Sequence, residues 1–153
     1  MVKVKKNGNV SRVIDFSATY GHIVPTAVAY HGNFFVGNLN TFPVVAGNSN
    51  IYKVTPSGQS QVWATGFSTV LGLVFDNQAR MYVLESSSVD GFPTPNTGRI
   101  IKVLPSGQKE VLVDGLFFPT GMTMGPDGNL YVSNKGFGPP VPGFGEILRI
   151  NLH

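Results

Sequence analysis

The chain has 153 residues, carries a formal net charge of +3 and contains no cysteine, which excludes disulfide bonds and thiol chemistry. Only 12% of its residues are charged, and the basic excess gathers near the N-terminal end instead of forming a wide basic face, so no nucleic-acid binding is predicted. Glycine (19 residues) and proline (11 residues) alternate with short apolar runs, which indicates strands joined by turns rather than helices.

Apolar runs of strand length follow one another along the whole chain. Valine, isoleucine, phenylalanine and tyrosine dominate them, and these side chains suit a pleated, half-buried surface. Tight-turn sequences join consecutive runs, such as NG at residues 7–8 and PSG at residues 56–58 and 105–107. In chain order the predicted strands are residues 2–5, 10–14, 27–30, 34–36, 51–54, 61–64, 72–75, 81–84, 100–103, 110–113, 121–124, 130–132 and 147–150.

These strands belong to an internal repeat. The motif KVTPSG at residues 53–58 returns as KVLPSG at residues 102–107, 49 positions later. KVKKNG at residues 3–8 is the same element 50 positions before the first motif, and ILRI at residues 147–150 opens it a fourth time. We predict a single domain over residues 1–153, with repeats at approximately residues 1–50, 51–99 and 100–146, and with residues 147–153 starting the next.

Four short antiparallel strands per repeat are typical of a β-propeller blade. The predicted fold class is therefore all-β, a β-propeller with three four-stranded blades that make half of a six-bladed ring; a β-sandwich is the alternative fold. Three blades cannot close a ring by themselves. The predicted partner is a second copy of the chain, or a missing half, that completes the ring and covers its open edges.

Neither a membrane span nor a signal peptide is predicted from the sequence. Residues 1–6 include positive charges, but no apolar segment follows them. No apolar run is long enough to cross a bilayer. The lysines of this segment suit an edge strand, where they discourage pairing with other sheets.

Three segments near the C-terminal end carry a family resemblance. FPTGM at residues 118–122, GPDGNLYVSN at residues 125–134 and GEILRI at residues 145–150 resemble the ScyD/ScyE family. The resemblance implies an NHL-like six-bladed propeller, of which this chain would be the C-terminal half. It further implies a protein that is often secreted or periplasmic, with no settled biochemical activity.

The loops between the second and third strands are unusually long and aromatic. They span residues 38–50, 86–99 and 134–146, and on a propeller they share a face with the loops between blades. Rigid apolar rings bind with little loss of entropy, so we predict a ligand-binding face. The alternative is that the rings pack over the blade ends and shield the core. The aromatic and histidine side chains of these loops are Phe42, Phe92, Phe137 and Phe144, with Tyr20, His22, Phe67, Phe117 and Phe118 from the between-blade loops.

One polar repeat position follows the second strand of each blade. Asn38, Glu85 and Asn134 occupy it and are expected to converge near the ring axis. Their oxygens suit a sugar, a cation such as calcium, or another polar ligand. The alternative is that each side chain caps its own loop through local backbone N–H groups.

No catalytic residue, metal site or cofactor is predicted. The chain also resembles gluconolactonase-like propellers, and that resemblance implies metal ligands at positions occupied here by Thr26, Leu71 and Thr120, which are poor or impossible ligands. His22 is the candidate for a lyase-type histidine. The leading prediction is a non-enzymatic module that binds a ligand or protein through its long-loop face. The alternatives are a metal-assisted hydrolase, lactonase or lyase, and a truncated fragment without independent function.

Overall fold

Nearly all of the regular structure is β-strand in the computed structural model, which describes residues 1–138 and 142–152. One short helix, α1, interrupts the strands at Phe16–Tyr20. The strands are β1 (Val2–Val4), β2 (Val10–Arg12), β3 (Pro25–His31), β4 (Asn33–Asn38), β5 (Ser49–Val54), β6 (Ser60–Phe67), β7 (Val70–Phe75), β8 (Met81–Glu85), β9 (Gly98–Val103), β10 (Lys109–Leu116), β11 (Gly121–Met124), β12 (Leu130–Asn134) and β13 (Glu146–Ile150).

The strands form four antiparallel sheets in which sequence neighbours are also spatial neighbours. Blade 1 has the order β3-β4-β5-β6, blade 2 the order β7-β8-β9-β10, and blade 3 the order β11-β12-β13. β1 and β2 form a separate two-stranded sheet, called here the N-terminal pair. This succession of meanders confirms the predicted fold class, a partial β-propeller. The limits of the sequence repeats stay a prediction.

Glycine turns set the register of the outer hairpins. The Gly8 N–H donates to the Lys5 carbonyl (2.9 Å), and Gly58 and Gly107 make the equivalent bonds at 2.9 and 2.8 Å. All three glycines have positive φ, between 82° and 92°, which a side chain would oppose. The repeated PSG and NG sequences therefore form the turns that the repeat predicted.

Helix α1 is a feature that the sequence did not indicate. The Asp15 carboxylate caps it by accepting from the Ala18 N–H (3.3 Å), and Phe16 buries its ring against Tyr52 with centroids 5.7 Å apart. The strand predicted over residues 10–14 consequently ends at Arg12. A single helical turn is too short to give 3.6-residue periodicity, which is why this helix was missed.

The core lies between sheets, and each blade packs its faces against its neighbours. Phe35 and Ile51 of blade 1 pack with Val70, Met81 and Val83 of blade 2. A second cluster packs helix α1 and the segments beside the N-terminal pair against blade 1, and a third fills the space between blades 2 and 3. Both faces of the central strands are thus buried, as stacked blades require.

Glycine permits the closest approach between blades. A Cβ atom added to Gly72 on β7 would lie 3.1 Å from the Cβ of Leu84 and 3.3 Å from the Cβ of Met122, which belongs to blade 3. This crowding leaves little room for a side chain at position 72. In the parts of the chain that the structure describes, no helix is long and apolar enough to cross a membrane.

Candidate ligand-binding face

Six phenylalanine rings from the long loops and the last between-blade loop form a continuous series of contacts, called here the aromatic row. Successive ring centroids lie between 4.5 and 6.3 Å apart, within the range of favourable aromatic pairs. The closest pair, Phe118 and Phe137, is stacked at 4.5 Å with planes 20° apart. In spatial order the row is Phe42, Phe92, Phe137, Phe118, Phe117 and Phe144.

The rings of the row are packed on one another yet still reach solvent. Phe42, at one end, is 68% exposed, and the other five rings are half-buried. Each aromatic pair adds about 0.5–1.5 kcal/mol beyond the burial of its area, so the rings hold each other in place. Of the predicted site residues, Phe92, Phe137 and Phe117 therefore come together, although they belong to different loops.

Hydrogen bonds between loops hold the row at its Phe42 end. The Asp90 carboxylate accepts from the Ala46 N–H (2.8 Å), and the Gly91 N–H donates to the Val44 carbonyl (3.2 Å). Val44 is itself buried. The loops of blades 1 and 2 are thus joined directly beside Phe92. This link brings the rings of Phe42 and Phe92, which belong to different loops, into contact.

Asn38, Glu85 and Asn134 are the last residues of β4, β8 and β12, and all three are buried. In blade 1 the Asn38 side chain accepts from the Asn50 N–H (2.7 Å) and donates to the Ile23 carbonyl (2.8 Å). The carboxamide therefore joins the between-blade linker to the start of β5.

The two other members of this repeat position make corresponding links. Glu85 accepts from the Ser68 N–H (2.8 Å) and from Arg99 Nε (2.5 Å). Asn134 accepts from the Phe117 N–H (3.0 Å) and donates to Glu146 Oε1 (2.7 Å). Asn134 thereby fixes the backbone of Phe117, whose ring belongs to the aromatic row.

Burial dominates the electrostatics of Glu85. It raises the pKa of this carboxyl group above its ordinary value, and the hydrogen bonds from Arg99 and the Ser68 N–H oppose that rise. Lys109 contributes a further positive charge and lies over the Phe67 ring, 4.1 Å from its centroid.

Contrary to the prediction, two aromatic residues expected on the loop face pack into the core instead. Phe67 is completely buried in the core between blades 1 and 2. Tyr20 packs against Tyr52, with ring centroids 4.6 Å apart, and donates its hydroxyl proton to Ser60 Oγ (2.9 Å). His22, in contrast, is exposed on the linker just before Ile23.

The positions implied by the gluconolactonase-like resemblance hold no metal-ligand set. Thr26 Oγ1 donates to the Val70 carbonyl (2.5 Å), and Thr120 Oγ1 donates to Ser133 Oγ (3.3 Å). Within residues 1–138 and 142–152, no three histidine, aspartate or glutamate side chains gather closely enough to hold a metal ion. The central part of the third long loop, residues 139–141, lies outside the described residues.

The sequence did not reveal that Phe118 stacks on Phe137 or that charges flank the end of the row. Lys135 pairs with Glu146 (3.2 Å) and lies 6.0 Å from the centroid of the Phe144 ring. In the sequence, the consecutive residues Phe117, Phe118 and Pro119 indicate an aromatic loop. They do not indicate which other rings that loop contacts, because contacts between distant loops leave no local pattern.

Two solved structures share this fold. A streptogramin B lyase matches 97% of this chain with a TM-score of 0.61 and 13% sequence identity. A gluconolactonase-like protein matches 94% of the chain with a TM-score of 0.60 and 14% identity. The matches cover 46% and 53% of those chains, so this chain spans about half the length of the solved structures it matches. No protein-family model and no curated protein sequence matches it. At this identity the likeness shows the fold alone, and the chain is a partial β-propeller.

Proposed function

We propose that this chain is a non-enzymatic propeller module of the ScyD/ScyE type and that the aromatic row binds an apolar or aromatic ligand. The observation that carries the proposal is the unbroken contact of six phenylalanine rings across loops of different blades. Preorganised aromatic rings lose little entropy on binding, and aromatic anchors dominate many binding surfaces.

The chemistry of the face favours an apolar ligand over a glycan. Phenylalanine rings offer no hydrogen-bond donor or acceptor, whereas sugars need several. The polar side chains of the neighbouring repeat position are buried and already bonded within the protein, as for Asn38 and Glu85. A polar ligand would have to displace those bonds, at a cost of about 1–3 kcal/mol for each group left unsatisfied.

The predicted site residues take two roles in this proposal. Phe92, Phe137 and Phe117 contact the ligand directly. Asn38, Glu85 and Asn134 act as positioning residues, because their hydrogen bonds hold the loops and linkers from which the rings project. His22, exposed beside the linker residue that Asn38 binds, contributes a polar contact at the margin of the face.

The test is ligand-observed NMR with two probes, N-acetyl-phenylalanine amide and methyl glucoside. The phenyl probe is expected to bind, and Phe92→Ala or Phe137→Ala is expected to weaken it about fivefold to tenfold, the effect of removing an aromatic anchor. Val111→Ala, an exposed apolar substitution on β10, is the control and should change nothing. Equal binding of the glucoside, or unchanged phenyl binding in both phenylalanine variants, contradicts the proposal.

The structural similarities favour a second candidate, a metal-assisted hydrolase, lactonase or lyase. Both solved relatives carry enzyme names, a streptogramin B lyase and a gluconolactonase-like protein. In this chain such an activity would use Glu85 together with Asn38 and Asn134, after their present hydrogen bonds were exchanged for metal ligation.

Thermal melting in the presence of calcium or zinc separates the two candidates. A metal that binds the folded state alone raises its stability, by about 2.7 kcal/mol at a hundredfold excess over the dissociation constant. The enzyme candidate predicts a higher melting temperature in millimolar metal and the loss of that shift in Glu85→Gln. No shift with either metal rules against it.

A further inference from the structure

A groove lies between the outer parts of blade 1 and blade 2. Its volume is about 410 Å³, within the range of about 300–1,000 Å³ that small-molecule sites occupy. One wall is the outer strand β6 and the other is the β9–β10 hairpin, so both walls belong to complete four-stranded blades. The lining of this inter-blade groove includes Trp63, Thr65, Ser106, Gly107 and Lys109.

The preceding junction, between the N-terminal pair and blade 1, is closed at the equivalent place. Its turn glycine is Gly58, and a Cβ atom added there would collide with the Val13 carbonyl. In the repeat, Gly58 corresponds to Gly107 and Val13 corresponds to Trp63. A Cβ atom added to Gly107 would meet no atom within 4 Å. The hairpin turn of blade 2 therefore stands clear of β6, and the groove is the space between them.

The side chains of the two junctions differ as well. In the closed junction Ser60 Oγ accepts the hydroxyl proton of Tyr20 (2.9 Å). The residue that corresponds to Ser60 in the open junction is Lys109. An aromatic hydroxyl group thus fills the closed junction, whereas the open junction presents a cation and the indole ring of Trp63.

The ammonium group of Lys109 has no carboxylate partner among the described residues. Its Nζ donates to the Thr65 carbonyl and lies 4.1 Å from the centroid of the Phe67 ring. Lys102, in contrast, pairs with Glu110 on the neighbouring strand (2.6 Å). Because an ammonium group has three donors, Lys109 retains the capacity to bind an anion.

The charges that face Lys109 do not compensate it fully. Partial burial lowers the pKa of Lys109; the Glu85 carboxylate opposes that shift, and Arg99 adds to it. Glu85 is itself bonded to Arg99 and to the Ser68 N–H. An anion in the groove would therefore supply a charge that the surrounding residues do not.

Trp63 provides an apolar wall that is held in place from behind. Its half-buried indole packs edge-on against the buried Phe35 ring, with centroids 5.2 Å apart and planes 79° apart. Aromatic side chains pair favourably with other rings in stacked or edge-to-face geometry. The groove thus combines a fixed aromatic surface with a cation on the opposite wall.

We propose that the inter-blade groove is a second binding site and that its ligand is a small aromatic carboxylate, with the carboxylate on Lys109 and the ring against Trp63. Charge-assisted hydrogen bonds from an ammonium group to a carboxylate are stronger than neutral ones, and the Ser106 hydroxyl on the same wall is a further donor. This site goes beyond the proposed function. The turn at residues 104–108 lies at the opposite end of β9 from the long loop at residues 86–99.

The fluorescence of Trp63 tests the proposal, because it is the only tryptophan of the chain and lies in this groove. Titration with sodium benzoate is expected to change the emission saturably. Benzyl alcohol, which has the ring without the charge, is expected to bind about fivefold more weakly. Lys109→Met should weaken benzoate binding by the same factor, the effect of losing one partly exposed charge pair. Lys53→Met removes the same charge from β5 and should change nothing.

Backbone amide resonances give a second readout that does not depend on the tryptophan emission. Benzoate is expected to shift the amides of Thr65, Ser106 and Gly107 in the unmodified protein, and these shifts should require a higher benzoate concentration in Lys109→Met. Equal affinity for benzoate and benzyl alcohol overturns the proposal. So does benzoate binding that Lys109→Met leaves unchanged, or the absence of any saturable change in this groove. None of these results affects the phenyl-probe test of the aromatic row.

Discussion

At the scale of the residue, one repeat position holds loops and linkers of all three blades in place. Its occupants are Asn38, Glu85 and Asn134. Each side chain is buried at the end of a second strand, and each accepts a hydrogen bond from a backbone N–H. The sequence placed these residues at equivalent positions but left open whether they face a ligand or cap their loops. A repeat reveals equivalence, whereas hydrogen-bond partners depend on loops whose conformation has no local signature.

Glu85 is the member of this set whose loss is expected to cost most. Removing its side chain leaves the Arg99 guanidinium and the Ser68 N–H without their partner, so Glu85→Ala should reduce the free energy of unfolding by about 3 kcal/mol. Urea denaturation measures the loss. Glu110→Ala, which breaks a more exposed ion pair with Lys102, should cost less than about 1 kcal/mol. Equal losses in the two variants would contradict the role given to Glu85.

At the scale of the element, most strands followed from local chemistry and their repetition. Each hairpin has its own turn sequence, and three copies of each signal supported one another. β6 and β10 run to Phe67 and Leu116, well beyond the predicted ends at residues 64 and 113. Their last residues pair with the start of the third strand across β-bulges, as in Ser49 opposite Phe67, and such irregular pairing does not follow a strict alternation.

The hairpin between β11 and β12 is expected to make stability depend on pH in the acid range. Hydrogen bonds from Asn129, Arg149 and Tyr131 hold the pKa of Asp127 well below its ordinary value of 3.8. Because the folded-state pKa is lowered, this stabilisation is complete above pH 3.8 and is lost as the pH falls through the folded-state pKa. When the pH is lowered from 7 into the acid range, the melting temperature of Asp127→Asn should therefore fall less than that of the unmodified protein. An equal fall in the two proteins would contradict this role, and Asp114→Asn is the control.

At the scale of the whole molecule, the chain is a partial β-propeller built from successive antiparallel meanders. The repeat alone predicted this architecture, although the solved relatives share only 13% and 14% of its sequence. The aromatic row was predictable only in part, because the sequence placed phenylalanines in the right loops but also included Phe67 and Tyr20. Those two rings belong to the core, in line with the alternative prediction that the rings pack over the blade ends and shield the core.

The most direct test of the central claim is to map where an aromatic probe binds. A titration of isotope-labelled protein with N-acetyl-phenylalanine amide, followed through backbone amide and phenylalanine ring resonances, locates the contact residue by residue. We predict that the largest shifts fall on Phe92, Phe117, Phe118 and Phe137 and on the neighbouring amide of Gly91. Shifts confined to the exposed strands around Val4 and Ile147, or no saturable shifts at all, would contradict a binding function for the aromatic row.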